Sequence, residues 1–173
     1  MPEPLSRREA LAAGLAGAAA LVLAAGGPTS AAAAKLDEGA ALTALARAEE
    51  DSAFAYLDSG AGLLGPFGEQ EGEHAKALAV QLEALGLSSP PAAGVRDGLP
   101  PAALRVLDAR GTEARLRAAI AWEQELIDGC ARRLAALEEP GAIRTVATIM
   151  AGHAQHQTLL RRLAGLDPLS SGP

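Results

Sequence analysis

Four stretches of this chain carry apolar residues at helical spacing, and each of the four apolar stripes is interrupted by glutamate or histidine. A helix turns by about 100° per residue, so positions i, i+3, i+4 and i+7 lie on one face. In the first stretch, Leu36 to Ser59, that face is Leu42, Leu45, Ala46, Ala53, Tyr56 and Leu57. Glu49 sits at its centre, Glu50 on its flank, and Asp51 points away. The second stretch, Pro66 to Leu85, buries Phe67, Ala75, Leu78, Leu82 and Leu85, with Glu71 and His74 in the stripe and Glu69, Glu73 and Glu83 opposite. The third, Thr112 to Leu137, presents Leu116, Ala119, Ile120, Leu126, Ile127, Cys130, Leu134 and Leu137, with Glu123 in the middle and Glu125 behind. The fourth, Ala142 to Leu163, continued by Ala164, presents Val146, Ile149, Met150, Leu160 and Ala164, with His153 and His156 among them.

Composition supports helices and little else. Nearly half the residues are apolar, chiefly Ala and Leu, and only 2% are aromatic, so strand formers are scarce and the expected class is all-α. The net charge of −6 comes without any Lys/Arg cluster, which disfavours nucleic-acid binding. With a single cysteine, Cys130, no intramolecular disulfide forms.

Residues 1–34 read as a segment apart. Ser6-Arg7-Arg8-Glu9-Ala10-Leu11 begins a twin-arginine pattern, a weakly apolar Ala/Gly/Leu run follows to about Gly26, and Ala32-Ala33-Ala34 suits an A-x-A cleavage site. No cysteine follows the run to take a lipid, and the run is short and Ala-rich for a membrane span. The expectation is a cleaved signal and an exported protein, with the twin-arginine machinery as a partner and no membrane association after cleavage. Cleavage removes Glu3, Glu9, Arg7 and Arg8 and leaves the net charge unchanged.

The remaining chain organises into two helical hairpins. A Pro/Gly-rich crossover from Ser88 to Gly111, with a short helix around Pro101–Ala109, joins them. The expected architecture is an antiparallel four-helix bundle over residues 35–165, followed by a flexible tail at 166–173. The halves form a weak repeat: residues 42–49 align with 116–123, and residues 71–78 with 153–160.

The ionisable residues within the stripes are Glu49, Glu71, His74, Glu123, His153 and His156, and they include all three histidines of the chain. A buried, unpaired carboxylate costs several kcal/mol. Three converging carboxylates call for a compensating cation, and carboxylate oxygens with imidazole nitrogens suit divalent iron, manganese or zinc. The competing reading is a fully hydrogen-bonded Glu–His network without metal. Tyr56, two turns beyond Glu49, is either a hydrogen-bond donor to one of these residues or a core tyrosine with its hydroxyl satisfied elsewhere. Cys130 reads as a small core residue rather than a ligand, and Glu50, Glu73 and Glu125 as a solvated face.

One Glu from each of two helices, with Glu-x-x-His from each of the other two, is the pattern of ferritin-like di-iron and di-manganese bundles. Glu49, Glu123 and Glu71-x-x-His74 match it. The wording Ala48-Glu49-Glu50-Asp51-Ser52-Ala53-Phe54-Ala55-Tyr56, Gln70-Glu71-Gly72-Glu73-His74-Ala75 and Ile149-Met150-Ala151-Gly152-His153-Ala154-Gln155-His156 resembles twin-arginine-exported ferritin-like domain proteins, over about residues 36–164. The resemblance implies a metal site of those six residues and O₂- or peroxide-directed oxidase, peroxidase or catalase-like chemistry on iron or manganese. Two departures stand out. His153 replaces the expected Glu, which favours a single metal, an unequal pair, or zinc or copper. Glu49 and Glu71 lie 22 positions apart against 30 for Glu123 and His153, so level ligands require the first helix to turn early, near Ser59 to Gly62. Metal binding without turnover and a metal-free structural bundle are the readings from other classes, and a homodimer is compatible with any of them.

Overall fold

The computed structural model describes residues 38–94 and 96–169, so the signal-peptide reading of residues 1–34 and the end of the tail lie outside the described residues. The described residues are all-helical, with five helices and no strand. These are α1 (Glu38–Asp58), α2 (Gly65–Ala84), α3 (Pro101–Asp108), α4 (Thr112–Leu134) and α5 (Pro140–Leu163), with a 3-10 turn at Gly62–Leu64 before α2. Helix α1 packs chiefly on α2 and α4 on α5, while the short α3 lies against α4 and α1. Among the described residues no helix is long and apolar enough to cross a membrane.

The early turn demanded by the Glu49–Glu71 spacing is present. Helix α1 stops at Asp58, Ser59 Oγ donates to Tyr56 O at 2.8 Å, and the Ala61 amide donates to Ser59 Oγ at 3.3 Å. Prolines set the starts of α2, α3 and α5, where a missing N–H costs nothing. Helix α4 ends three residues before the expected Leu137. Its chain tightens into turn bonds, Ala136 N to Arg133 O and Leu137 N to Leu134 O, which bring Leu137 into the core. The Glu38 carboxylate accepts from the amides of Glu138 and Glu139 and ties the following loop to the start of α1. Past α5, Arg161 Nε donates to Asp167 O at 2.7 Å and holds the first residues of the expected tail.

Two apolar clusters divide the interior. One joins Leu42, Leu45, Leu78, Leu82, Val146 and Ile149. The other joins Tyr56, Phe67, Leu116, Ile120, Trp122 and Leu160, with Leu99, Ala103 and Val106 from the crossover. At about 1.5–3 kcal/mol for each large apolar side chain removed from water, these clusters supply the driving force that keeps polar groups buried between them. On α1, α2 and α5 the Glu and His positions fall between residues of one cluster and residues of the other, while on α4 Glu123 lies among residues of the second cluster, between Trp122 and Leu126.

The helical wheel misplaces three residues. Asp51 is buried, 5% exposed, rather than pointing to solvent. The crossover covers this flank of α1: Arg47 donates to Pro91 O and pairs with Asp51 at 3.0 Å. Leu57 is 55% exposed because it leans over Gly68 at the rim of the α1–α2 seam, where a Cβ on Gly68 would stand 2.8 Å from Leu57 Cγ. Leu85 is exposed because α2 ends one residue before it.

Candidate metal centre

The structure brings all six ionisable stripe residues together. Glu49 comes from α1, Glu71 and His74 from α2, Glu123 from α4, and His153 and His156 from α5. Glu71, Glu123 and His153 are completely buried, Glu49 is 1% and His156 3% exposed, and the His74 side chain alone keeps appreciable access at 13%. Their donor atoms form two overlapping groups, each with every pair of ligand atoms within 4.8 Å. One is Glu49, Glu71, His74 and His153; the other is Glu71, Glu123, His153 and His156.

Glu71 stands between two histidines. Its Oε2 lies 3.0 Å from His74 Nδ1 and its Oε1 3.0 Å from His156 Nδ1. His153 stands between two carboxylates, Nε2 at 3.0 Å from Glu49 Oε1 and Nδ1 at 3.0 Å from Glu123 Oε2. Further contacts close the set: His153 Nδ1 to Glu71 Oε1 at 3.5 Å, His156 Nδ1 to Glu123 Oε1 at 3.4 Å, and His74 Nδ1 to Glu49 Oε2 at 3.3 Å. Tyr56 donates its hydroxyl to Glu123 Oε1 at 2.7 Å, so of the two roles open to it in the sequence it takes the donor role, while fully buried. Burial first, then the charge of Glu123, push its phenol well above the usual value and keep it a donor.

The electrostatics follow from three carboxylates and three imidazoles in one dry interior. Burial alone would lower the histidines, but the flanking carboxylates outweigh it. His74 is raised to about 9 by Glu49 and Glu71, His156 to about 9 by Glu123 and Glu71, and His153 is raised furthest, by its contact with Cys130 and then by Glu123, Glu49 and Glu71. Burial pushes the Glu49 carboxyl up. At Glu71 burial also pushes up, yet hydrogen bonds from all three histidines prevail and hold the carboxyl well below the usual range. Protons on the imidazoles are thus the positive charge that offsets the carboxylates in the metal-free interior.

The donor set fits a metal ion in place of those protons. Ligand atoms about 2.1 Å from a cation stand about 3.0 to 3.4 Å from one another in octahedral or tetrahedral arrangements; the histidine–carboxylate contacts here run from 3.0 to 3.5 Å, and all ligand atoms of each group lie within 4.8 Å of one another. Among these ligand atoms Glu49 Oε2 is buried and makes no hydrogen bond. A buried Glu/His cluster able to hold a metal is therefore present.

Three supporting residues escaped the sequence reading. Gly152 gives His74 its room, since a Cβ there would stand 3.0 Å from His74 Cε1 and 3.1 Å from Nε2. A glycine in mid-helix beside His153 was the available signal, because glycine weakens a helix unless something approaches closely. Trp122, beside Glu123, and Ser52 are buried together with Trp122 Nε1 donating to Ser52 Oγ at 3.0 Å. Cys130 is buried with a free thiol, raised by burial, as its reading as a core residue required; it also lies close enough to His153 to interact with it. Glu73 and Glu125 are exposed and Glu50 is half-buried. A cleft of about 220 Å³ between α1 and α4, lined by Ala44, Ala48, Trp122 and Gly129, runs up to Glu49. No family model matches the chain, and no curated protein or solved structure matches it either.

Proposed function

We propose that this chain is an exported metal-binding protein, built as an antiparallel four-helix bundle of the ferritin-like kind. Glu49, Glu71, His74, Glu123, His153 and His156 hold a divalent transition metal between its helices. One observation carries the reading: two overlapping groups of Glu and His donors, drawn from four helices, meet in an interior sealed by apolar clusters. The mixed oxygen and imidazole donors suit iron or manganese first, and also accommodate zinc or copper. Export rests on Arg7-Arg8 and the Ala32-Ala33-Ala34 cleavage pattern.

Bound iron or manganese would supply redox chemistry directed at O₂ or peroxide. The chain's own contribution is positional. Glu71 offers one oxygen to each donor group, Tyr56 orients Glu123 through its 2.7 Å hydrogen bond, and the apolar clusters exclude bulk water. The His74 edge is 13% exposed, and the cleft between α1 and α4 has Glu49 in its lining.

A second reading, metal binding in the cell envelope without turnover, is favoured by depth: five of the six donors are 3% exposed or less. Elemental analysis of the purified protein tests what the two readings share. One or two equivalents of transition metal, lost in the Glu71→Ala/His74→Ala double variant, is the expected result. Peroxide consumption by the loaded protein then separates turnover from binding. A chain that stays helical yet refuses every added metal at micromolar concentration would reduce the Glu–His set to a structural network.

A further inference from the structure

The two donor groups overlap in Glu71 and His153, and these two residues are shared in different ways. A carboxylate has an oxygen for each side. Glu71 Oε1 faces His156 Nδ1 at 3.0 Å and His153 Nδ1 at 3.5 Å, while Oε2 faces His74 Nδ1 at 3.0 Å. A neutral imidazole has one lone pair for a metal, because its other nitrogen carries hydrogen. His153 is therefore a ligand to one group only.

The distances select which. His153 Nδ1 approaches two members of the second group, Glu123 Oε2 at 3.0 Å and Glu71 Oε1 at 3.5 Å. His153 Nε2 approaches Glu49 Oε1 at 3.0 Å. With Nδ1 as the ligand atom, Nε2–H donates to Glu49 Oε1, the usual way in which a metal-bound histidine is oriented by a carboxylate. Glu49 then keeps Oε2, the buried atom that makes no hydrogen bond, 3.3 Å from His74 Nδ1.

We infer that the interior holds an unequal pair of cations. The closed position has four protein ligands, Glu71 Oε1, Glu123 Oε2, His153 Nδ1 and His156 Nδ1. The open position has three, Glu49 Oε2, Glu71 Oε2 and His74 Nδ1. This rests on the metal-binding reading above and deepens it. In burial it is His74 alone that sets the open position apart: its side chain is 13% exposed, whereas those of the other five residues are at most 4% exposed. Three protein ligands leave a coordination place for water or another small ligand, which is the difference between a site that reacts and one that only holds. Glutamate at position 153 would give an oxygen to each side and make the positions alike.

Titration of the metal-free full chain with zinc, against a chromophoric chelator at neutral pH, tests the inference. Two equivalents should bind, with dissociation constants at least about 10-fold apart. His74→Ala should abolish the weaker step and leave the tighter one within about threefold, and His153→Glu should narrow the gap to less than about threefold. His74 is the most exposed donor, so its truncation leaves the core intact, and far-UV circular dichroism checks that it does. Two equal steps in the unaltered protein, or loss of the tighter step in His74→Ala, would overturn the unequal pair while leaving metal binding in place. Failure of the unaltered, helical protein to bind zinc, cobalt(II) or iron(II) at all would overturn the metal reading and this inference together.

Discussion

Helices α2 and α5 present the same two-residue device with one substitution between them. On α2 it is Glu71-x-x-His74, on α5 His153-x-x-His156. Glu71 accepts from a histidine on each side, one per oxygen, whereas His153 reaches a carboxylate on each side, one per nitrogen. In the metal-free protein the two are complementary, a doubly accepting anion beside a ring with two nitrogens facing anions. Toward cations they are not equivalent, because the carboxylate serves two positions and the neutral ring serves one. One side-chain change at the same helical position thus makes the two halves of the Glu–His set chemically unlike.

Removing the shared carboxylate is the largest perturbation. Glu71→Gln should weaken both zinc-binding steps by about 100-fold each, while Glu49→Gln should weaken chiefly the weaker step, with a smaller loss of about 10-fold in the tighter one through the bond from His153; chelator competition reads both. Next comes the opposite change, which makes the two helices alike. His153→Glu places a fourth carboxylate among three and should destabilise the metal-free protein by about 3–5 kcal/mol in urea denaturation, with zinc restoring most of the loss. If the variant is as stable as the parent without metal, His153 is not the positive partner of Glu49 and Glu123.

Acidity acts on the histidines. Burial alone would lower His74 and His156, but the carboxylates hold both at about 9. A folded-state value raised above the ordinary 6.5 gives stabilisation that is complete below pH 6.5 and is lost as pH rises through about 9. The metal-free protein should therefore lose on the order of 1–3 kcal/mol between pH 6.5 and 9, a figure discounted for the solvent access of His74. Zinc affinity should rise across the same window and binding should release protons, because metal and proton compete for the same nitrogens. Calorimetry in buffers of different ionisation enthalpy measures that release; a pH-independent affinity would contradict it.

Smaller effects concern the supports. Tyr56→Phe removes the donor to Glu123 and should cost about 1–3 kcal/mol of stability and about 10-fold in the tighter binding step. Gly152→Ala moves the His74 ring by a few tenths of an ångström. It should weaken only the weaker step, by no more than about 10-fold.

Much of this was legible in the chain itself. Helical phase alone put Glu49, Glu71, His74, Glu123, His153 and His156 into the apolar stripes, and the structure brings those six into one interior. The spacing of Glu49 and Glu71 called for a turn after Ser59, and α1 ends at Asp58. Illegible were contacts between elements remote in sequence. Asp51 is buried because the crossover lies over it, Trp122 because Ser52 on another helix accepts its N–H, and Gly152 matters because His74 comes against it. A wheel assigns one buried face per helix and has no term for a second covering layer.

Period and side-chain chemistry within a turn or two were enough to place the helices and most of their interior faces, Asp51 and Leu57 apart, and to pick out the six Glu and His residues that meet inside. Only the tertiary structure decided who faces whom. It assigned Tyr56 to Glu123, gave Glu71 a histidine on each oxygen, and left Glu49 Oε2 without a hydrogen bond. Those pairings depend on the relative height and rotation of helices dozens of residues apart. That height and rotation come from packing Leu42, Leu78, Val146 and their neighbours on one side of the polar layer, and Phe67, Leu116 and Leu160 on the other.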